Sequence, residues 1–269
     1  SDGSQKWKRD VGNGQAARIV SSPAVSDKRD IYVISNRQRN DGLANSTLHK
    51  VDRFSNLHWS YIFPDNGFTS ASPKLMNTVG GTFIFVYVSV GGIENLQGEL
   101  FVLQDDNNQP VLLDRKKLGV CLYQSGTADL LNYFKDAQDV VSKFPVPFDI
   151  GGLPLPGAFV APTPAINADR QKPLIAIADN FCSLGAFEWD GNELSVAWRA
   201  SHEFKKHSST TLSPNGLMVF GRQDGKVFAH ETLTGVEKWE YDVGEPVLAT
   251  PSAPPGEFIY VVSKNHIQV

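Results

Sequence analysis

Apolar residues fall in short runs between turn signals, and the stretch from Ser208 to Pro251 shows this most plainly. Runs at 209–212, 217–221, 226–230 and 237–241 are separated by Ser213-Pro214-Asn215-Gly216, Asp224-Gly225 and Thr234-Gly235. Asn-Gly and Asp-Gly accept positive φ at little cost and so favour tight hairpins. Four such runs predict a four-stranded antiparallel meander. A sheet of this kind cannot bury both faces alone and needs neighbours of its own type.

The same order recurs along the chain. Ser21-Ser22-Pro23-Ala24-Val25 is followed by runs at 30–35, 48–51 and 58–61. Ala71-Ser72-Pro73-Lys74-Leu75 precedes runs at 82–90 and 99–103, and Pro162-Thr163-Pro164-Ala165-Ile166 precedes runs at 173–178, 185–189 and 196–198. A Ser/Thr-Pro landmark therefore falls at Pro23, Pro73, Pro164 and Pro251, with Thr211 read as the residue in proline's place. The intervals are 50, 91, 47 and 40 residues, and periods near 40–50 are those of propeller blades. The landmark proline suits the start of a blade's innermost strand, where a missing donor is tolerated. A late tryptophan in each repeat (Trp7, Trp59, Trp198, Trp239) suits an apolar wedge between blades.

The chain's two ends look complementary. Gly3, Lys6-Trp7 and Val11-Gly12 match Gly235, Lys238-Trp239 and Val243-Gly244, the tail of a repeat, and 249–269 holds three strands of one. The expectation is one all-β domain over 1–269, a β-propeller of five four-stranded blades closed by the N-terminal strand joining the C-terminal ones. The opening at Ser1-Asp2-Gly3, without an initiator methionine, leaves room for a leader or further sequence.

The 91-residue interval breaks the pattern. Within it Leu130, Leu131, Phe134, Ala137, Val140, Val141 and Phe144 recur at steps of three and four, one face of a helix over 127–144. Thr127 suits the N-cap and Pro145 the end, and a Pro/Gly-rich arm over 144–159 leads to the next blade. The insertion spans about 119–157. The alternative is a sixth, degenerate blade with strands at 120–124 and 130–134.

Gln223–Ala229 with Leu233–Trp239, and Ser22–Val25 with Ile31–Ile34, resemble the pyrroloquinoline-quinone-type propeller repeat. The resemblance spans most of the chain outside about 119–157. It implies a propeller fold and extracytoplasmic placement. It leaves two functional branches: quinone-dependent dehydrogenases, and non-enzymatic members similar to the bacterial outer-membrane assembly lipoprotein. The enzymes use a larger ring, a Ca²⁺ site and often vicinal cysteines. Here Cys121 and Cys182 lie in separate repeats, and no set of cationic, amide and metal-ligating groups can be placed from the sequence.

Charge and composition narrow the function. A net charge of −4 lacks the basic bias of a nucleic-acid binder. No apolar run reaches the roughly 20 residues of a spanning helix. The two cysteines suit two buried strand thiols, or one bridge in an oxidising compartment. His202-Glu203-Phe204-Lys205-Lys206-His207 is the densest polar cluster and reads as a solvated inter-blade loop before a metal site. Asp105-Asp106-Asn107-Asn108 lacks the alternating ligands and glycine of a Ca²⁺ loop and reads as a hairpin turn. His49, His58, His230 and His266 read as core or rim residues of strands, and Asn45-Ser46-Thr47 is a glycosylation sequon in a polar loop over 36–47. No phosphate-loop, dinucleotide or nucleophile-elbow motif occurs.

The expected function is a non-catalytic protein-interaction scaffold needing no cofactor. Its partner is a protein held by Leu130, Tyr133, Phe134, Val141 and Phe144 of the insertion. The alternatives are a divergent quinone- or metal-dependent oxidoreductase, with a small ligand in the axial channel, and a glycan-binding propeller.

Overall fold

The computed structural model describes residues 6–11, 17–19, 21–38, 44–65, 67–90, 97–106, 109–118, 149–150, 153–154, 162–179, 183–202, 207–256, 258–263 and 267–268. The described residues are all-β. The first sheet contains β1 (Ala17–Arg18), β2 (Ala24–Val25), β3 (Ile31–Gln38), β4 (Ala44–Val51) and β5 (Leu57–Ile62); β1 and β2 both pair with β3. Blade 2 is β6 (Lys74–Thr78), β7 (Gly81–Val90), β8 (Gln97–Asp105) and β9 (Pro110–Lys117). A separate pair, β10 (Asp149–Ile150) and β11 (Leu153–Pro154), follows. Blade 3 is β12 (Ala165–Asn167), β13 (Leu174–Ala178), β14 (Ser183–Trp189) and β15 (Leu194–Ser201). Blade 4 is β16 (Thr211–Leu212), β17 (Leu217–Gly221), β18 (Lys226–Glu231) and β19 (Glu237–Asp242). A last hairpin of β20 (Val261–Val262) and β21 (Ile267–Gln268) is joined by a Ser252–Tyr260 bridge.

Each sheet is an antiparallel meander, as the turn chemistry requires. Gly225, in the Asp-Gly turn, has φ of +91°, a conformation glycine adopts without steric cost. The polar stretch 36–47 is not one loop. Residues 36–38 and 44–47 belong to β3 and β4, with Gln38 opposite Ala44, so Asn45 lies in a strand opposite Arg37.

Blades stack through continuous apolar seams. Tyr32, Ile34, Leu48, Trp59 and Phe63 of blade 1 meet Ile84, Val86, Phe101 and Leu103 of blade 2. The other face of blade 2 offers Phe83, Phe85 and Tyr87 to Ile175, Ile177, Phe187 and Trp189 of blade 3. Trp198 of blade 3 packs with Met218, Phe220 and Phe228 of blade 4, and Val219, Val227 and Ala229 of blade 4 with Val247 and Val261. Each fully buried large side chain is worth about 1.5–3 kcal/mol, so these seams hold the blades in order.

Blades 2 and 3 touch directly although 91 residues separate their landmarks. The Ser72 amide donates to Thr163 Oγ1 at 2.9 Å, and the Leu194 amide to Asp114 Oδ2 at 2.7 Å. Nothing is interposed between these two blades at those contacts. The predicted helix over 127–144 and the alternative strands there lie outside the described residues, as do both cysteines. Residues 6–10 carry no strand. The indole of Trp7 donates to the Arg53 carbonyl, just past β4, at 2.9 Å.

Candidate functional site

The landmark residues form a belt around an axial cavity. In blade 1 the inner strand is broken at Ser21-Ser22-Pro23, between β1 and β2. Blade 2 repeats this, with a Phe68–Ser89 bridge before β6, and blade 4 with a His207–Arg222 bridge before β16. At the break the backbone amide is released from its own sheet and donates across to the next blade's hydroxyl: Ser22 to Ser72 Oγ at 3.0 Å, Ser72 to Thr163 Oγ1 at 2.9 Å, and Thr163 to Ser209 Oγ at 2.9 Å. Ser209 is thus the hydroxyl of blade 4's landmark. Thr210, one residue before Thr211, therefore stands where the other blades have proline. The belt lines a cavity of about 600 Å³ with Ser22, Ser72, Thr163, Ser209 and Thr250, joined by Lys74 and Asn77.

At the seams, the outer strand of each blade reaches over the next. In every blade the third and fourth strands carry a register shift, and the residue paired just before it is the one that reaches: Trp59, Asp114, Trp198 and Trp239, opposite Lys50, Val102, Ala186 and Ala229. Trp59 Nε1 donates to Asp105 Oδ1 at 3.0 Å, and Trp198 Nε1 to the Thr232 carbonyl at 2.8 Å. Trp198 also rests on Gly235, where a Cβ would overlap the indole and φ is +73°. The repeat's Thr-Gly is therefore a seat for the preceding blade's tryptophan. Trp7 reaches Arg53 in the same manner.

Asp105, read from the sequence as part of a hairpin turn, is buried at the end of β8. It accepts from Tyr32 Oη at 2.6 Å, Trp59 Nε1 and Lys50 Nζ at 2.6 Å, and Lys50 also meets Asp30 at 3.1 Å. Burial would raise the Asp105 carboxyl, but these three donors outweigh it and hold it below the usual range. Burial opposes the Lys50 charge too, yet Asp105 and Asp30 leave its ammonium above the ordinary lysine value. Burial, with the Asp105 charge, pushes the Tyr32 phenol up as well. Between blades 2 and 3, Tyr87 Oη donates to Asp179 Oδ2 at 3.1 Å across Gly98, where a side chain would overlap the phenol.

The blade 3–4 seam ends in a histidine cluster. His202 and His207 come from the polar run singled out in the sequence; residues 203–206 lie outside the described ones. His207 is buried, its Nδ1 bonded to the Asp179 carbonyl, and burial lowers its pKa to about 3. His202 packs edge-on against Phe228 at 4.4 Å and lies 6.0 Å from the His230 ring. Its Nδ1 accepts from Arg222 Nη1 at 2.9 Å, and Arg222 is paired twice with Asp224. His202 and His207 are thus part of a packed seam, beside His230 of β18. His49 sits buried between Ser35 and Ser60, and burial lowers its pKa to about 4. The other predicted site residues, Leu130, Tyr133, Phe134, Val141 and Phe144, lie outside the described residues. Asn45 is half-buried and its Oδ1 is buried without a hydrogen-bond partner among the described residues. Among the described residues no helix is long and apolar enough to cross a membrane.

No family model matches the chain, and no curated protein matches it in sequence. Solved structures do match. BamB from Moraxella catarrhalis aligns with a TM-score of 0.56 at 10% identity, covering 93% of this chain and 56% of that one. The quinohemoprotein alcohol dehydrogenase from Comamonas testosteroni aligns at 0.55 and 15%, covering 92% and 44%. The Dos1 propeller aligns at 0.53 and 10%, covering 91% and 53%. The chain spans about half the length of these structures. The likeness establishes a β-propeller fold.

Proposed function

We propose that the protein is a non-catalytic interaction scaffold whose protein partner is held by the insertion at 119–157. The observation that supports this reading most directly is the Ser72–Thr163 hydrogen bond across the 91-residue interval. Described residues of blades 2 and 3 are in direct contact, Ser72 with Thr163 and Leu194 with Asp114, and on this reading the intervening chain is given another task. Loops on a rigid scaffold are where such folds place recognition, and Leu130, Tyr133, Phe134, Val141 and Phe144 supply apolar anchors there. BamB, similar in fold, supports a docking ring outside the cytoplasm by analogy only.

The quinone alternative fares poorly against the axial cavity. A charged planar quinone with Ca²⁺ needs carboxylates and several cationic or amide groups converging. The described lining offers hydroxyls, prolines and aliphatic side chains with Lys74 and Asn77, and no carboxylate. The belt hydroxyls of Ser72, Thr163 and Ser209 already serve as acceptors for neighbouring blades. These residues do not fit the group.

The test compares the whole chain with one carrying a short Gly-Ser turn in place of 127–159, both first matched by circular dichroism. The whole chain is expected to capture a protein from native extract and to rebuild a complex with it from purified components. The shortened chain is expected to do neither. Equal complexes with both chains would overturn the assignment of the insertion.

A further inference from the structure

We propose that His202, His230 and Glu237 form a Zn²⁺ site that clips blade 3 to blade 4. Their ligand atoms all lie within 4.8 Å of one another. Two imidazoles and one carboxylate with a position left open is a recognised zinc set, at bond lengths of about 2.0–2.2 Å. His202 leaves the end of β15 in blade 3. His230 and Glu237 are cross-strand partners on β18 and β19 of blade 4. An ion here would therefore join two blades that otherwise meet through packing and scattered hydrogen bonds.

The local chemistry points to a ligand. His230 is 4% exposed, its Nδ1 is bonded to the Gly235 carbonyl at 3.0 Å, and its Nε2 is buried with no hydrogen-bond partner among the described residues. A carbonyl holding the Nδ1 proton fixes the tautomer that leaves a lone pair on Nε2. This is the outer-shell arrangement typical of a metal-ligating histidine. An empty buried lone pair loses its hydration without compensation, and a cation supplies the missing partner. Glu237 is exposed, which gives the ion a route in and lets the carboxylate swing to close the distance. Its charge offsets that of the ion.

Arg222 sets the terms on the blade 3 side. Its donation occupies His202 Nδ1, so for the neutral imidazole to ligate, the Arg222 bond must be given up and the ring proton must sit on the nitrogen that does not meet the metal. Asp224 neutralises the guanidinium, so Arg222 does not confront the ion as a bare charge. Phe220 and Phe228 pack around the imidazoles and limit their rotation.

The test is calorimetric titration of the full chain with Zn²⁺ after chelator treatment. One ion per chain is expected, with affinity weakened at least about tenfold in His230→Gln and in Glu237→Gln, and unchanged in His58→Gln, an exposed histidine elsewhere. Absence of stoichiometric binding, or equal binding by all three variants, would overturn the site. Co²⁺ added to the unsubstituted chain is independent of variant folding. The visible absorption of a tetrahedral complex is expected, whereas an octahedral aqua spectrum would overturn it.

Discussion

The seams on either side of the molecule solve one problem with different chemistry. In both, a tryptophan of the outer strand is buried against the next blade and must satisfy its indole N–H. Trp59 does so on the carboxylate of Asp105, inside a network with Lys50, Asp30 and Tyr32. Trp198 does so on the neutral Thr232 carbonyl, above Gly235. Between them, at the blade 2–3 seam, Asp114 takes the tryptophan's place and reaches the Leu194 amide. The register shift in the outer strands fixes where the reaching side chain stands. What it grasps is free to vary, so one repeat can carry an ionic seam at one place and a neutral one at another.

The largest difference lies in what happens when a partner is removed. Asp105→Ala leaves Lys50 buried without its closest counter-charge and Trp59 and Tyr32 without an acceptor. A loss of about 3–5 kcal/mol is expected, read as a lower urea midpoint at pH 7. The double variant Asp105→Leu with Lys50→Met should recover the part due to the unpaired Lys50 charge, because paired apolar replacements avoid its desolvation cost, while Trp59 and Tyr32 still lack their acceptor. A single variant losing less than about 1 kcal/mol would mean water reaches Lys50 and the seam is not ionic in effect.

Acid should separate the seams next. His207, at the neutral seam, is held deprotonated by burial with a pKa of about 3, against 6.5 for the ordinary group. Its folded value is depressed, so its contribution is complete above about pH 6.5 and is lost as pH falls toward 3. The slope approaches about 1.4 kcal/mol per pH unit within that window. His49, lowered to about 4, adds slope of the same sign between 6.5 and 4. Asp105 is also depressed, but its contribution is lost only below the ordinary carboxylate range. Lys50 is raised, so its share is lost only in alkali, as pH passes its folded value. Lowering pH from 7 to 5 should therefore cost stability through His207 in blade 4 and His49 in blade 1 while Asp105 stays ionised, seen as earlier loss of hydrogen-exchange protection in 207–242 and 44–51 than in 97–105. His207→Gln should flatten the stability profile by one proton, and an unchanged profile would refute the assignment.

Much of this was legible in the sequence, and the omissions have physical causes. The strands of 208–251 were readable because Asp224-Gly225 and Thr234-Gly235 punctuate them. The second role of Gly235, as the seat of Trp198, was hidden because the indole comes from the preceding blade. The landmark was misplaced by one residue at Thr211 because blade 4 lacks the proline that marks the others. The belt is made by the hydroxyl before it. Asp114 was invisible as a tryptophan equivalent, since its side chain shares position and not type. The stretch 36–47 read as a loop because its residues are polar, yet the hairpin ladder forms through backbone groups that any side chain can flank. The convergence of His202 with His230 and Glu237 joins two blades, a juxtaposition no local spacing encodes.

The finest distinction between the seams is the indole hydrogen bond itself, isolated by replacing each tryptophan with phenylalanine. Both changes keep an aromatic wedge and lose the N–H together with part of the ring. The wedge loss should be similar, since Trp59 and Trp198 are almost equally buried at 6% and 9% exposure. The hydrogen bonds differ. A donor to a charged acceptor is worth about 1.5–3 kcal/mol and one to a neutral carbonyl about 0.5–1.5. Trp59→Phe should therefore cost roughly 1 kcal/mol more than Trp198→Phe in urea unfolding. Asp105 keeps Lys50 and Tyr32 after the change, which holds the gap to that size. Adding each substitution to the Asp105→Leu, Lys50→Met background should reverse the order, because Trp59 then has no acceptor to lose while the Trp198 bond to Thr232 is untouched. If Trp59→Phe still costs more there, the gap traces to packing around the two rings, and the contrast between an ionic and a neutral seam would then rest on Lys50 alone.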